Sequence, residues 1–166
     1  MNETQQEIIW YQFGGSMDML DQALAQCPDE IWDNERLFWY WAYHCIFYLD
    51  YYLTLEPDTF APPEPFTLSE FEAATMPPRT YTREELRTYL AYCKERARAL
   101  LQRLDAPLMA QRWENPWRNY SVFELLLYNM RHVQHHTAQL NLMMRWQTNT
   151  APDWISRTRQ PLKNNS

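Results

Sequence analysis

The stretch SVFELLLYNMRHVQHHTAQLNLMMRW, Ser121 to Trp146, decides the fold class. Its first residues, Ser121-Val122-Phe123-Glu124, have the Ser/Thr-x-x-Glu spacing of a capping box, in which hydroxyl and carboxylate satisfy free amides at a helix start. Neither Gly nor Pro interrupts residues 122–146. Leu125, Asn129, His132, His136, Leu140 and Met143 recur at the spacing of one helical face. The spacing predicts a helix reaching about Trp146.

Outward from this stretch, the same start signal occurs twice more. Thr82-Arg83-Glu84-Glu85 precedes Leu86, Tyr89, Leu90, Cys93, Ala97, Leu100, Leu101 and Leu104, the stripe of a third helix. Thr4-Gln5-Gln6-Glu7 opens a first helix that Pro28 ends. Gly14-Gly15 inside it costs about 1 kcal/mol per Gly relative to Ala, which predicts a kink or a close helix contact there. Asp33 or Asn34 caps a second helix to about Leu53, with Leu37, Phe38, Trp41, His44, Cys45, Tyr48 and Tyr52 as its stripe. Pro57, Pro62, Pro63, Pro65, Pro77 and Pro78 keep residues 54–81 from forming one helix, although Ser69-Glu70-Phe71-Glu72 suits a short helical turn. A connector with Pro107 and Pro116 leads back to Ser121, and a polar tail runs from about 148 to 166.

These elements predict an all-α chain, a four-helix bundle forming a single domain over residues 1–166. The short loop between the first two helices makes them antiparallel. The Pro-rich crossover between the second and third is long enough to travel a 20-residue helix, about 30 Å. It permits an up-down-down-up order.

Composition narrows the function. Only 2 Gly occur, so no Gly-rich phosphate loop exists. The balance of 15 Lys+Arg against 21 Asp+Glu gives a net charge of −6, and nothing builds the basic face a nucleic-acid binder needs. Lys94-Glu95-Arg96-Ala97-Arg98 and the basic-leaning tail after Arg157 read as solvated surface. Cys27, Cys45 and Cys93 are widely spaced and form no CxxC, which fits buried free thiols in a reducing compartment. The start MNETQQEIIWYQF lacks a signal peptide's basic and apolar regions, and no apolar run approaches the ~20 residues of a membrane span. A cytoplasmic protein without membrane or nucleic-acid partners is expected.

The histidines carry the chemistry. His132 and His136 are one turn apart on the inward face of their helix, and His135 lies about 100° round from His136. On the second helix Leu37, Trp41, His44 and Tyr48 follow a 4-3-4 buried spacing. Three imidazoles from two helices therefore converge inside apolar walls. Either each finds its own hydrogen-bond partner, or His44, His132 and His136 share a divalent metal and leave coordination positions open. Val133 replaces the Glu that an HExxH hydrolase uses as general base. Trp41, Tyr48 and Asn129 stand at helical spacing from these residues and are candidates for a substrate pocket.

With these residues, WAYHCIFYLDYYL and RHVQHHTAQLNLMMR, the chain resembles the DinB-like superfamily of metalloenzymes, whose signature is H-x-x-H-H-x-G-Q-L. Ala138 stands where that family usually has Gly. The resemblance implies an up-down-down-up bundle, a homodimer, and a nickel, zinc or iron site with His44, His132 and His136 as ligands. It further implies a thiol S-transferase acting on a small electrophile, with a low-molecular-weight thiol as cosubstrate. A metal-dependent hydrolase and a non-catalytic stress-response binding module are the competing readings.

Overall fold

The chain is mostly helical over residues 2–163, which the computed structural model describes. None of its helices there is long and apolar enough to cross a membrane. Helix α1 spans Glu3–Gln26 and buries Trp10, Phe13, Met17, Leu20 and Leu24, a stripe of alternating three- and four-residue steps. Its capping box is not at Thr4: Asn2 is the cap, its side chain accepting from the Gln5 amide while Gln5 Oε1 accepts from the Asn2 amide. An Asn–Gln pair closes the same reciprocal bonds as Ser/Thr–Glu, at the very start of the chain.

A single turn, α2 (Asp29–Trp32), follows Pro28. Helix α3 (Phe38–Leu53) is capped by neither Asp33 nor Asn34; Leu37, with φ 53°, is its N-cap. Asp33 instead accepts from the Trp39 indole at 2.6 Å and from Thr80 at 2.8 Å. Of the sixteen residues of α3, twelve are buried, which makes it the most enclosed of the long helices. Two 3-10 turns, Pro57–Thr59 and Ser69–Phe71, interrupt an otherwise irregular segment to α4 (Arg83–Gln102). Here the Thr82–Glu85 capping box forms as expected, with both reciprocal bonds present.

The Pro107/Pro116 connector departs from an all-helical reading. It folds into a short helix, α5 (Ala106–Ala110), and an antiparallel hairpin, β1 (Arg112–Asn115) with β2 (Arg118–Ser121), in which Asn115 pairs with Arg118. Trp113 anchors the hairpin: it is fully buried and its indole donates to the Thr54 carbonyl at 2.8 Å. Ser121 then ends β2 and caps α6 (Val122–Thr148) by accepting from the Glu124 amide.

Helix α1 packs against α4 and α6, and α3 packs against the same two. Two polar clamps lock α3 within this ring. Asp50, fully buried, accepts from Tyr89 at 2.9 Å and pairs with Arg96, both on α4. Asn129 of α6 is also fully buried and donates to the Leu49 carbonyl of α3 at 3.0 Å. The charged run of α4 is therefore not plain solvated surface: Lys94 pairs with Asp18, Arg96 with Asp50, and Arg98 donates to the Leu162 carbonyl.

Nor is the tail a loose polar end. Thr158 and Leu162 are buried, and the Thr158 amide donates to the Tyr11 carbonyl on α1. The Trp10 indole donates to the Gln160 carbonyl at 2.8 Å. This docking explains Gly14-Gly15, inside an unbroken α1. A Cβ at Gly14 would stand 2.6 Å from the Thr158 methyl, and one at Gly15 would stand 3.1–3.2 Å from tail backbone. The close approach expected there is made by the tail, not by another helix.

An exposed helical Gly→Ala change normally stabilises by about 1 kcal/mol. Gly15→Ala is expected to lower the melting temperature of the full chain, because the docked Arg157–Thr158 backbone must shift to admit the methyl. In a chain ending at Asp153 the same change is expected to raise it, as circular dichroism melts of the four variants will show.

Candidate metal centre

His44 sits in the middle of α3, and His132 and His136 sit one turn apart on the α6 face that meets it. One ring nitrogen from each of the three lies within 4.8 Å of the others. Ring centroids are 4.5 Å apart for His132–His136 and 4.8 Å for His44–His136. The expected convergence of the three is thus present. His135 is exposed and stays outside the group, touching it only through an edge contact with His136.

The electrostatics favour bare, neutral imidazoles. Burial, reinforced by the neighbouring His136 and His44, holds His132 down at about 3. Burial and then His44 bring His136 to about 4. At neutral pH both rings are uncharged, the form in which imidazole offers a lone pair. His132 Nε2 and His136 Nδ1 are buried without a hydrogen-bond partner. A buried polar atom without a partner normally costs about 1–3 kcal/mol. A divalent ion bound between the rings satisfies unpaired nitrogens and suits an all-imidazole donor set.

His44 is set by a residue that sequence reasoning missed. Its Nδ1 lies 2.6 Å from Oε2 of Glu70, whose side chain is almost wholly buried in the Ser69–Phe71 turn. A carboxylate accepts, so Nδ1 donates and the opposite nitrogen, Nε2, is left bare. The Tyr48 hydroxyl donates to the Glu70 carbonyl at 3.1 Å and fixes the turn against α3. Burial and the Glu70 charge push the Tyr40 phenol up to about 12. A helical turn at Ser69–Glu72 was legible; its pairing with a histidine 26 positions away was not.

A cavity of about 840 Å³ opens over the histidines. Tyr48, Tyr51, Tyr52, Phe60, Phe71 and Tyr128 supply much of its wall, and the hairpin adds Asn115 to Arg118. Of the three candidate pocket residues, Tyr48 lines it. Trp41 lies beside it, its ring nearly parallel to His136 at 6.3 Å. Asn129 is displaced from the expected role: it is sealed in the core by its bond to Leu49, because its face of α6 has already met α3 one turn before His132. Cys45, next to His44, is fully buried, and burial pushes its thiol well above the ordinary range, so it holds no thiolate near neutral pH. The hairpin residues were also missed, although Asn115-Pro116 is a turn signal within a segment of aromatic and polar residues.

The family model described as DinB family matches residues 1–156. No curated protein and no solved structure matches the chain.

The depressed histidines fix the sign of a pH effect. Their folded values lie below the ordinary 6.5, so the unfolded chain binds more protons as pH falls. Their contribution to stability is present above about 6.5 and is lost as pH drops through 4 toward 3. Metal-free protein is expected to melt lower at pH 5 than at pH 7, with a smaller difference in His132→Gln, as a pH series of thermal melts will measure.

Proposed function

Because the chain belongs to the DinB family and gathers three imidazoles under one cavity, we propose that it is a metal-dependent enzyme. Its most fitting reaction is the transfer of a low-molecular-weight thiol to a small electrophilic substrate. The observation that carries this reading is the pair of buried, partnerless nitrogens on His132 and His136 beside His44. Nickel, zinc or iron would be held by His44, His132 and His136. When bound, such an ion supplies the positive charge that keeps a thiol deprotonated at neutral pH.

The remaining work falls to the chain itself. Glu70 orients the His44 ring through Nδ1 and leaves its other nitrogen to the ion. The tyrosine and phenylalanine walls exclude water from the reacting thiol and fit an apolar electrophile. No cysteine of the chain is placed to serve as the thiol, since all three are buried, so the sulfur comes from a cosubstrate. Glu70, the carboxylate paired with the histidine group, is committed to His44 and is not a free base for hydrolysis. The single-domain, up-down-down-up bundle, the homodimer and the cytoplasmic location belong to the same reading.

Protein purified without chelators is expected to hold about one divalent ion per chain by elemental analysis, and His136→Ala to lose it. Glu70→Ala is expected to weaken metal binding about 10–100-fold, the usual effect of removing a carboxylate behind a metal-bound histidine. Electrophile turnover is expected to require added thiol. Turnover without thiol would identify a hydrolase, and absence of both metal and turnover would identify a binding module.

A further inference from the structure

Among the described residues, Arg118 is the sole Lys or Arg lining the cavity above the histidines. It starts β2, directly after the Pro116-Trp117 turn. Asn115 pins that turn, its Oδ1 accepting from the amides of Trp117 at 2.9 Å and Arg118 at 2.8 Å. Asn115 is pinned in turn, donating to the Tyr51 hydroxyl at 3.1 Å. The backbone that carries Arg118 is therefore held on α3 rather than waving at the rim.

The guanidinium is sheltered by rings and paired with no carboxylate among the described residues. It lies 5.3 Å over the Tyr128 ring and 5.9 Å from the centre of Tyr52, and one N–H group donates to the Tyr128 hydroxyl at 3.1 Å. The arginines at 79, 83, 87, 96 and 98 each form an ion pair, in a chain with 21 carboxylates to draw on. Arg118, like Arg36 and Arg112, forms none among the described residues; what sets it apart is its place in the cavity wall. The two carboxylates of the lining are elsewhere engaged or outward: Glu70 holds His44, and Asp58 is exposed.

The Tyr52 and Tyr128 ring centres are 5.1 Å apart, so both rings lie to one side of the guanidinium, and its N–H groups other than the one bonded to Tyr128 suit the two oxygens of a carboxylate. One ring, Tyr52, neighbours both Arg118 and the histidines, its centroid 5.9 Å from the guanidinium and 5.8 Å from the centroid of His132. We propose that Arg118 is a specificity determinant that receives the carboxylate of a small organic acid, whose body spans the Tyr52 ring and whose reactive end reaches the histidines. The substrate class is thus a carboxylated electrophile, or a thiol cosubstrate carrying a carboxylate. This rests on the enzyme reading above for what happens at the far end, but not for the binding itself.

The test uses a matched pair, 3-phenylpropionate and neutral 3-phenylpropionamide, titrated into the full chain by calorimetry with and without zinc. Wild type is expected to bind the acid at least tenfold more tightly than the amide. The preference should vanish in Arg118→Gln, persist in part in Arg118→Lys, and survive in His132→Ala. Melting curves of each variant confirm that the fold is kept. Equal binding of acid and amide, a preference unchanged in Arg118→Gln, or no binding of the acid at millimolar concentration would each overturn the assignment. If the preference holds in a protein that takes up no metal, the enzyme reading fails while the carboxylate site stands.

Discussion

One buried hydrogen bond sets where α6 lies along α3. The Asn129 amide donates to the Leu49 carbonyl with both residues sealed from water, and a polar pair in such surroundings tolerates no slip of a turn without stranding its groups. Helix α3 cannot slide the other way either, because Asp50 is clamped to Tyr89 and Arg96 of α4. With the register fixed, the residue one turn beyond Asn129 must meet the residue one turn and a half before Leu49. Those residues are His132 and His44, and His136 follows one turn later.

The histidines then impose their own demands. The lowered His132 and His136 rings need walls that do not solvate them, and the aromatic content of α3 supplies much of these. They also need orientation, which comes from outside the helices. The irregular segment after α3 delivers Glu70 to His44, and the hairpin before α6 delivers Arg118 across the same opening. The long helices thus hold the nitrogens, while the connecting segments decide how they are aimed and what approaches them.

What the sequence made legible was whatever obeys a local rule. The Thr82 and Ser121 helix starts, the proline break after Leu53 and the shared face of His132 and His136 all follow from spacing within one element. What escaped was set by partners distant along the chain or by a rival local bond. The Asn2 cap displaced the Thr4 box because an Asn–Gln pair performs the same bonding. Asn129 looked like a pocket residue because its face was right; only the meeting of α3 and α6 shows that its level along the helix is core. Glu70 and Arg118 carried no local mark of their roles, since each acts across a gap that no periodicity encodes.

The docked tail has a consequence for the order in which the molecule is made. Trp10 and Gln160 are 150 positions apart, and the Gly14-Gly15 groove waits for Thr158. During synthesis α1 is made before Thr158 and Gln160 and stays without that cover until they leave the ribosome. Closure across so long a loop is slow relative to local helix formation. For that interval an apolar stripe containing Trp10 and Phe13 is open to other chains. The two glycines therefore matter to the nascent chain as well as the finished one: lacking side chains, they leave open a slot that fits the late-arriving tail of the same molecule.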